Sequence, residues 1–360
     1  MSRTYPALLI CAAALGLAAC GDDSDEGEST TAEAESGTDL TAVKSYLTDH
    51  SAVLAEQTET LRTLSQEYYD LAESVDFDYE ALMKEHGDEV EAILEDSKGA
   101  FVTANPAYEE MEGIVAGVPR LAQYDVDIDA GADASDPENA VSYSLELPDG
   151  ETLKQPGNAF FVTETSLYGT NPDFLADTKQ DVDGDGKEEF GEGIPDANIY
   201  LAMVEKFDEL ADDLDADAQA FEPTESDALT AITVMTPTMS EYFEAWKNSR
   251  FIAGEDASEL GFVAASRLSD IADILEGIQF TYDEVEPVIA EEDPAQAEQT
   301  DAALNELLSY VEDIRDREKD GKEYTAEEAD TLGSEAQRQA EAIAGQVTQA
   351  ANRLGIELQA

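Results

Sequence analysis

The chain has 360 residues, with 84 Asp and Glu against 19 Lys and Arg and a formal net charge of −65. A surface this acidic repels nucleic acid and anionic lipid and attracts cations, so no nucleic-acid role is expected. In ordinary salt such self-repulsion weakens a fold, whereas at molar salt the screening length falls to about 3 Å; the composition therefore suggests a salt-loving (halophilic) source and a protein that faces the outside.

Residues 1–19 combine Arg3, a short apolar run and small residues immediately before Cys20. This is the pattern of a lipoprotein signal peptide, too short in its apolar part to serve as a spanning helix. Cys20 is the expected lipid attachment point, which would make the protein membrane-anchored and periplasmic or cell-surface facing. Cys11 would leave with the signal, so no thiol would remain for a disulfide or a Cys-ligated metal. Residues 20–39 are small, hydroxyl or acidic with no aromatic, an expected disordered tether.

From residue 40 to 358 the periodicity is helical almost throughout. Val43, Leu47, His50, Leu54, Gln57, Leu61, Leu64, Tyr68 and Leu71 step by four and three, a bundle seam with His50 and Gln57 as its polar exceptions. Similar stripes cover about 88–118, 198–219, 226–249, 260–290, 297–318 and 325–354. Asn105-Pro106 is expected to kink or start a helix, and Thr325 with Glu328 spells a capping box for the last one. The expected class is all-α, a helical bundle interrupted by an irregular, loop-rich insertion at about 125–197. Within it, 141–147 (VSYSLEL) alternates like a strand before a Pro148-Asp149-Gly150 turn, and 160–168 (FFVTETSLY) is helical in type with Glu164 as its acidic residue.

The same insertion holds the run 181–192 (DVDGDGKEEFGE). Asp181, Asp183 and Asp185 with Gly186 and Glu192 match the spacing of an EF-hand calcium loop; the Lys187 carbonyl and Glu189 would complete the oxygen set. Gly191, Gly193 and Pro195 forbid a proper exiting helix, so the reading is a structural calcium clip; the alternative is a solvated acidic loop.

The remaining polar candidates are two histidines. His50 lies on the apolar seam and is either a core imidazole bonded to a neighbour or a group projecting into a central site. His86, among charged residues, reads as exposed, and Trp246 as core.

The segments Tyr108-Glu109-Glu110-Met111-Glu112, Tyr124-Asp125-Val126-Asp127-Ile128-Asp129-Ala130, 160–168, 251–256 and 310–358, in that order, resemble the EfeO/imelysin-like family of all-helical lipoproteins and periplasmic proteins linked to iron uptake. The resemblance implies two packed four-helix-type bundles around an acidic metal site, without the cupredoxin domain that some relatives carry. Glu109 and Glu112 match the family's YExxE helix, and Asp125 and Asp129 its LDxxID stretch, although Gly131 replaces the Arg that usually follows. The family's HxxE motif aligns with Phe161 and Glu164, so its His is lost. An all-carboxylate site favours hard ions such as Ca²⁺, Mg²⁺, Mn²⁺ or ferric iron. In so acidic a chain these five carboxylates also admit a bland reading as solvated helix charge.

Three functions remain open. The first is a metal-binding accessory lipoprotein of iron or other cation uptake, partnered by a permease. The second is a calcium-stabilised surface module that has lost the family site. The third, which the family's peptidase label suggests, is a metallopeptidase; the sequence contains no HExxH and no recognisable nucleophile pattern.

Overall fold

The computed structural model describes residues 38–176 and 193–359. The signal segment, Cys20 and the 181–192 loop lie outside the described residues. The fixed body begins slightly earlier than the sequence suggests, since the Thr38 N–H donates to Glu225 at 3.2 Å and Leu40 is buried.

Helix α1 (Thr41–Ser74) buries Val43, Leu47, Ser51, Leu54, Thr58, Leu61, Ser65, Tyr68 and Ala72. Leu47, Leu54, Leu61 and Tyr68 recur every seven residues, and so do Ser51, Thr58, Ser65 and Ala72 between them. The innermost stripe therefore alternates large with small, while His50, Gln57, Leu64 and Leu71, expected at its centre, are half-buried flanks. The small hydroxyl residues fit because they satisfy themselves locally: Thr58 and Ser65 donate to the carbonyls of Ala55 and Arg62 at 3.1 and 3.0 Å.

Helix α2 (Tyr79–Gly117) starts on an Asp78 cap and runs straight through Pro106. Its backbone irregularity falls instead at His86, which pairs with Glu89 at the surface. Short α3 (Ala122–Asp125) passes into a π-helical turn, Val126–Ala130. The predicted strand becomes β1 (Ser144–Glu146), which pairs antiparallel with β2 (Thr152–Lys154), Leu145 opposite Leu153. Helix α4 (Ala159–Leu167) follows, then α5 (Ala197–Ala220), α6 (Glu225–Met235), α7 (Met239–Asn248) and α8 (Arg250–Ala253). Pro237, in a 3₁₀ turn, divides what reads as one stripe into α6 and α7. Helices α9 (Arg267–Glu292), α10 (Pro294–Lys319) and α11 (Ala326–Leu354) complete the chain. The capping box at the head of α11 forms as expected, with both Thr325 and Glu328 engaged.

Among the described residues the protein is all-α apart from this one hairpin. Helices α1, α2, α4 and α5 pack as one bundle and α6, α7, α9, α10 and α11 as the other, joined where α2 lies against α9 and α6. One apolar core runs through both. At that joint a Cβ on Gly277 would stand 2.0 Å from the Glu110 carbonyl oxygen, so only glycine lets α9 approach α2 so closely. Gly345 on α11 has nothing within 4 Å of the same position. We therefore expect opposite outcomes from the same substitution: Gly277→Ala destabilises by about 1–3 kcal/mol through overpacking, whereas Gly345→Ala stabilises by up to about 1 kcal/mol through helix propensity. Denaturant titration of the two variants checks this.

Candidate functional site

Carboxylates that the sequence places on two separate segments converge where the bundles meet. On α2, Tyr108, Glu109 and Glu112 share one face, all buried. The π-helical turn brings Asp125 and Asp129 beneath them, while Asp127 between the two is spent elsewhere, accepting from the Ser142 N–H and hydroxyl at 2.7 Å each. Asn158 locks that turn to α4: its side chain caps the Phe161 N–H at 2.7 Å and donates to the carbonyls of Asp129 and Gly131. Oxygen atoms of Glu109, Glu112 and Asp129 all lie within 4.8 Å of one another. Ligands held about 2.3–2.6 Å from one cation are at most about 5 Å apart, so this spacing is compatible with a shared ion.

A cavity of about 420 Å³ opens beside this cluster. Glu112, Asp125 and Asp129 line it, and Phe161 forms part of its wall. Tyr242 of α7 and Phe262 of the segment before α9 supply further aromatic surface. Glu109 sits behind the wall, accepting from the Asn105 amide at 2.9 Å.

The residue that sequence reasoning missed is Arg267. It is 4% exposed and directs its guanidinium at Glu109 (3.4 Å), Asp270 (3.2 Å) and Asp129 (3.6 Å). The rings of Tyr242 and Phe262 lie against it, 4.6 and 4.5 Å from its central carbon to their centroids. A signal existed: a cation at the head of an apolar helical stripe, with Asp three residues on, in a chain poor in cations. The stripe was placed from 260, but 257–266 is largely irregular and the helix begins at Arg267 itself, capped by Ser266.

Electrostatics follow from burial. Loss of water pushes Glu109 well above the usual carboxylate range, with Asp270 and Asp129 adding to it and Arg267 opposing. Glu112 rises to about 7, through burial and then Asp129. Asp125 rises through burial and then Glu112, although the Tyr108 hydroxyl donates to it at 2.9 Å. Burial raises Asp129 as well, against Arg267. Asp270 rises to about 6. The Tyr242 hydroxyl donates to Glu112 Oε1 at 2.7 Å, but Glu112 Oε2 is buried without a hydrogen-bond donor. The Glu109 carboxyl interacts with Glu112, and two carboxyls can bond only when a proton is shared.

Glu164 and His50 part from expectation. Both oxygens of Glu164 are taken by backbone N–H groups, Phe262 at 2.6 Å, Val263 at 2.9 Å and Ala264 at 2.8 Å. It borders the cavity but is committed to that segment. His50 lies outside the cavity: Nδ1 bonds the Tyr46 carbonyl oxygen at 2.7 Å and Nε2 pairs with Glu110. Residue 50 faces the half-buried flank of α1 rather than the central cluster, bonded there to a neighbouring carbonyl and a neighbouring side chain.

The sequence pattern of the family described as Imelysin matches residues 42–353, nearly the whole helical body. The chain belongs to the imelysin family. No curated protein matches it. Its imelysin domain thus keeps four acidic positions of the resemblance, Glu109, Glu112, Asp125 and Asp129, around one centre, and turns the fifth, Glu164, into a backbone anchor.

A carboxyl whose pKa rises on folding binds more protons folded than unfolded between its ordinary and its raised value. For Glu112 that window runs from about 4.5 to about 7, and the stability it contributes is lost as pH rises through it. With multivalent cations removed, the melting temperature should fall between pH 5 and 8, and Glu112→Gln should fall less steeply. Parallel curves for the two proteins would show that Glu112 does not titrate as its burial requires.

Proposed function

We propose that this imelysin-family protein binds a hard cation in the central cavity and serves as an accessory component of iron or other cation uptake. The observation that carries this is the buried Glu112 Oε2, without a donor, beside Asp125 and Asp129 in a cavity whose lining, among the described residues, includes a single cationic side chain, Arg267. One positive charge facing Glu109, Glu112, Asp125, Asp129 and Asp270 leaves the cluster short of compensation. Two charges about 4 Å apart interact by roughly 4 kcal/mol at the effective dielectric typical of proteins, so the cluster must hold protons or take up a cation. The donor set fits: carboxylates alone suit Ca²⁺, Mn²⁺ or ferric iron better than softer metals. Glu112, Asp125 and Asp129 would hold the ion, with Glu109 behind them, and the bound ion would replace the shared proton.

In this reading the protein is tethered through lipid on Cys20, its acidic surface concentrates cations near the membrane, and a permease is the natural partner. The 181–192 loop would bind Ca²⁺ as a separate structural clip. The second reading, a surface module whose stability rests on that clip alone, differs in one measurable respect.

Metal content distinguishes them. Glu112→Gln with the 181–192 loop intact should lower Mn²⁺ or ferric stoichiometry by one equivalent and leave calcium at the loop unchanged; equal stoichiometry in both proteins would leave only the clip. The anchor has its own check: Cys20→Ser should release the protein from membranes, and a variant that still pellets with them places the anchor elsewhere.

A further inference from the structure

The segment from 257 to 266 lines the cavity with Glu259, Gly261 and Phe262, and its path is set by groups outside it. The Ser258 and Glu259 N–H groups both donate to the Asn248 carbonyl at 3.1 Å, and the Thr170 hydroxyl donates to the Leu260 carbonyl at 2.8 Å. Gly261 then packs so tightly that a Cβ there would lie 3.3 Å from Glu164 Oε2. Phe262 follows with φ of 53°, a left-handed conformation that a bulky residue holds only where its surroundings impose it. What imposes it is Glu164, whose two oxygens collect the three successive N–H groups of Phe262, Val263 and Ala264.

The consequence reaches the cluster through Phe262, whose ring centroid lies 4.5 Å from the Arg267 guanidinium carbon, with that of Tyr242 at 4.6 Å. Arg267 sits 3.2–3.6 Å from its three carboxylate partners, longer than the about 2.7–2.9 Å of a tight charge-assisted bond. Its position therefore depends on the aromatic clamp as well as on its ion pairs. Freed from that clamp, the guanidinium has an uncompensated target close by in Glu112 Oε2, which no donor satisfies.

We infer that Glu164 is a positioning residue: by fixing the 262–264 backbone it keeps Phe262 on Arg267, holds that guanidinium against Glu109 and Asp129, and so leaves Glu112 open to a cation. The inference rests on the cation-binding reading for its effect on affinity, but not for the clasp itself.

The test uses the full chain with two readouts, amide hydrogen exchange at 262–264 and Mn²⁺ binding by titration, for wild type, Glu164→Ala, Glu164→Gln, Phe262→Ala and the Glu164→Ala/Phe262→Ala double variant. Glu164→Ala should expose the three amides to exchange and weaken Mn²⁺ binding about tenfold. Phe262→Ala should weaken it by a similar factor, and the double variant by no more than either alone, because both act through Arg267. Glu164→Gln keeps one oxygen for the Val263 and Ala264 N–H groups, so it should lie much nearer wild type. Multiplying losses in the double variant, or a Glu164→Gln loss equal to that of Glu164→Ala, would make Glu164 a direct ligand and overturn the inference. Unchanged exchange in Glu164→Ala would overturn it too. If Glu164→Ala does not fold, the Gln and Phe262 variants still decide it. If wild type binds no Mn²⁺ outside the 181–192 loop, the cation-binding reading fails, while the exchange data still judge the clasp.

Discussion

Arg267 lies almost wholly out of water and faces carboxylates from α2, from the π-helical turn and from its own helix. Burying a charge costs several kcal/mol even after relaxation, and this centre buries several acidic groups for one base. The arrangement persists because the guanidinium meets three carboxylates and two aromatic faces at once. It ties α2, α7, α9 and the 257–266 segment to a single point. Both the packing of the two bundles and the protonation of the acidic cluster depend on it.

The cluster is then undercompensated by construction. Tyr108 and Tyr242 donate to Asp125 and Glu112, Asn105 donates to Glu109, and three backbone N–H groups saturate Glu164. These bonds lower the cost of burial without supplying positive charge. Burial first, and the neighbouring carboxylates after it, therefore raise Glu109, Glu112 and Asp125. A cation that enters the cavity competes with the protons these groups hold, which couples its binding to pH.

Close helix packing gives the centre its precision. Ser51, Thr58 and Ser65 let α1 approach its neighbours, and Gly277 lets α9 lie against the α2 backbone at Glu110. The next residue on α2 but one is Glu112, so the contact that sets the interhelical distance also sets the depth of its carboxylate. Outside this joint the surface is acidic almost everywhere, and much of the basic complement is used in short-range pairs such as Arg317 with Asp313 and Lys98 with Glu95.

By itself, the sequence determined the features that are local or periodic. Heptad-like spacing set the long helices, Thr325 and Glu328 set the head of α11, and Pro148-Asp149-Gly150 set the hairpin, because each depends on neighbours within a few residues. The family resemblance likewise marked Glu109, Glu112, Asp125 and Asp129, and their i to i+3 and i to i+4 spacing puts each pair on one helical face. Tertiary structure alone decided what those residues meet. Glu164 finds its partners 98 to 100 residues away, Arg267 finds Glu109 at a separation of 158, and His50 turns to Glu110 because α1 is rotated by a fraction of a turn from the seam its leucines suggest. Periodicity fixes a face to within one residue, about 100° of helix rotation, and that residue separates a side chain in the central cluster from one on its flank.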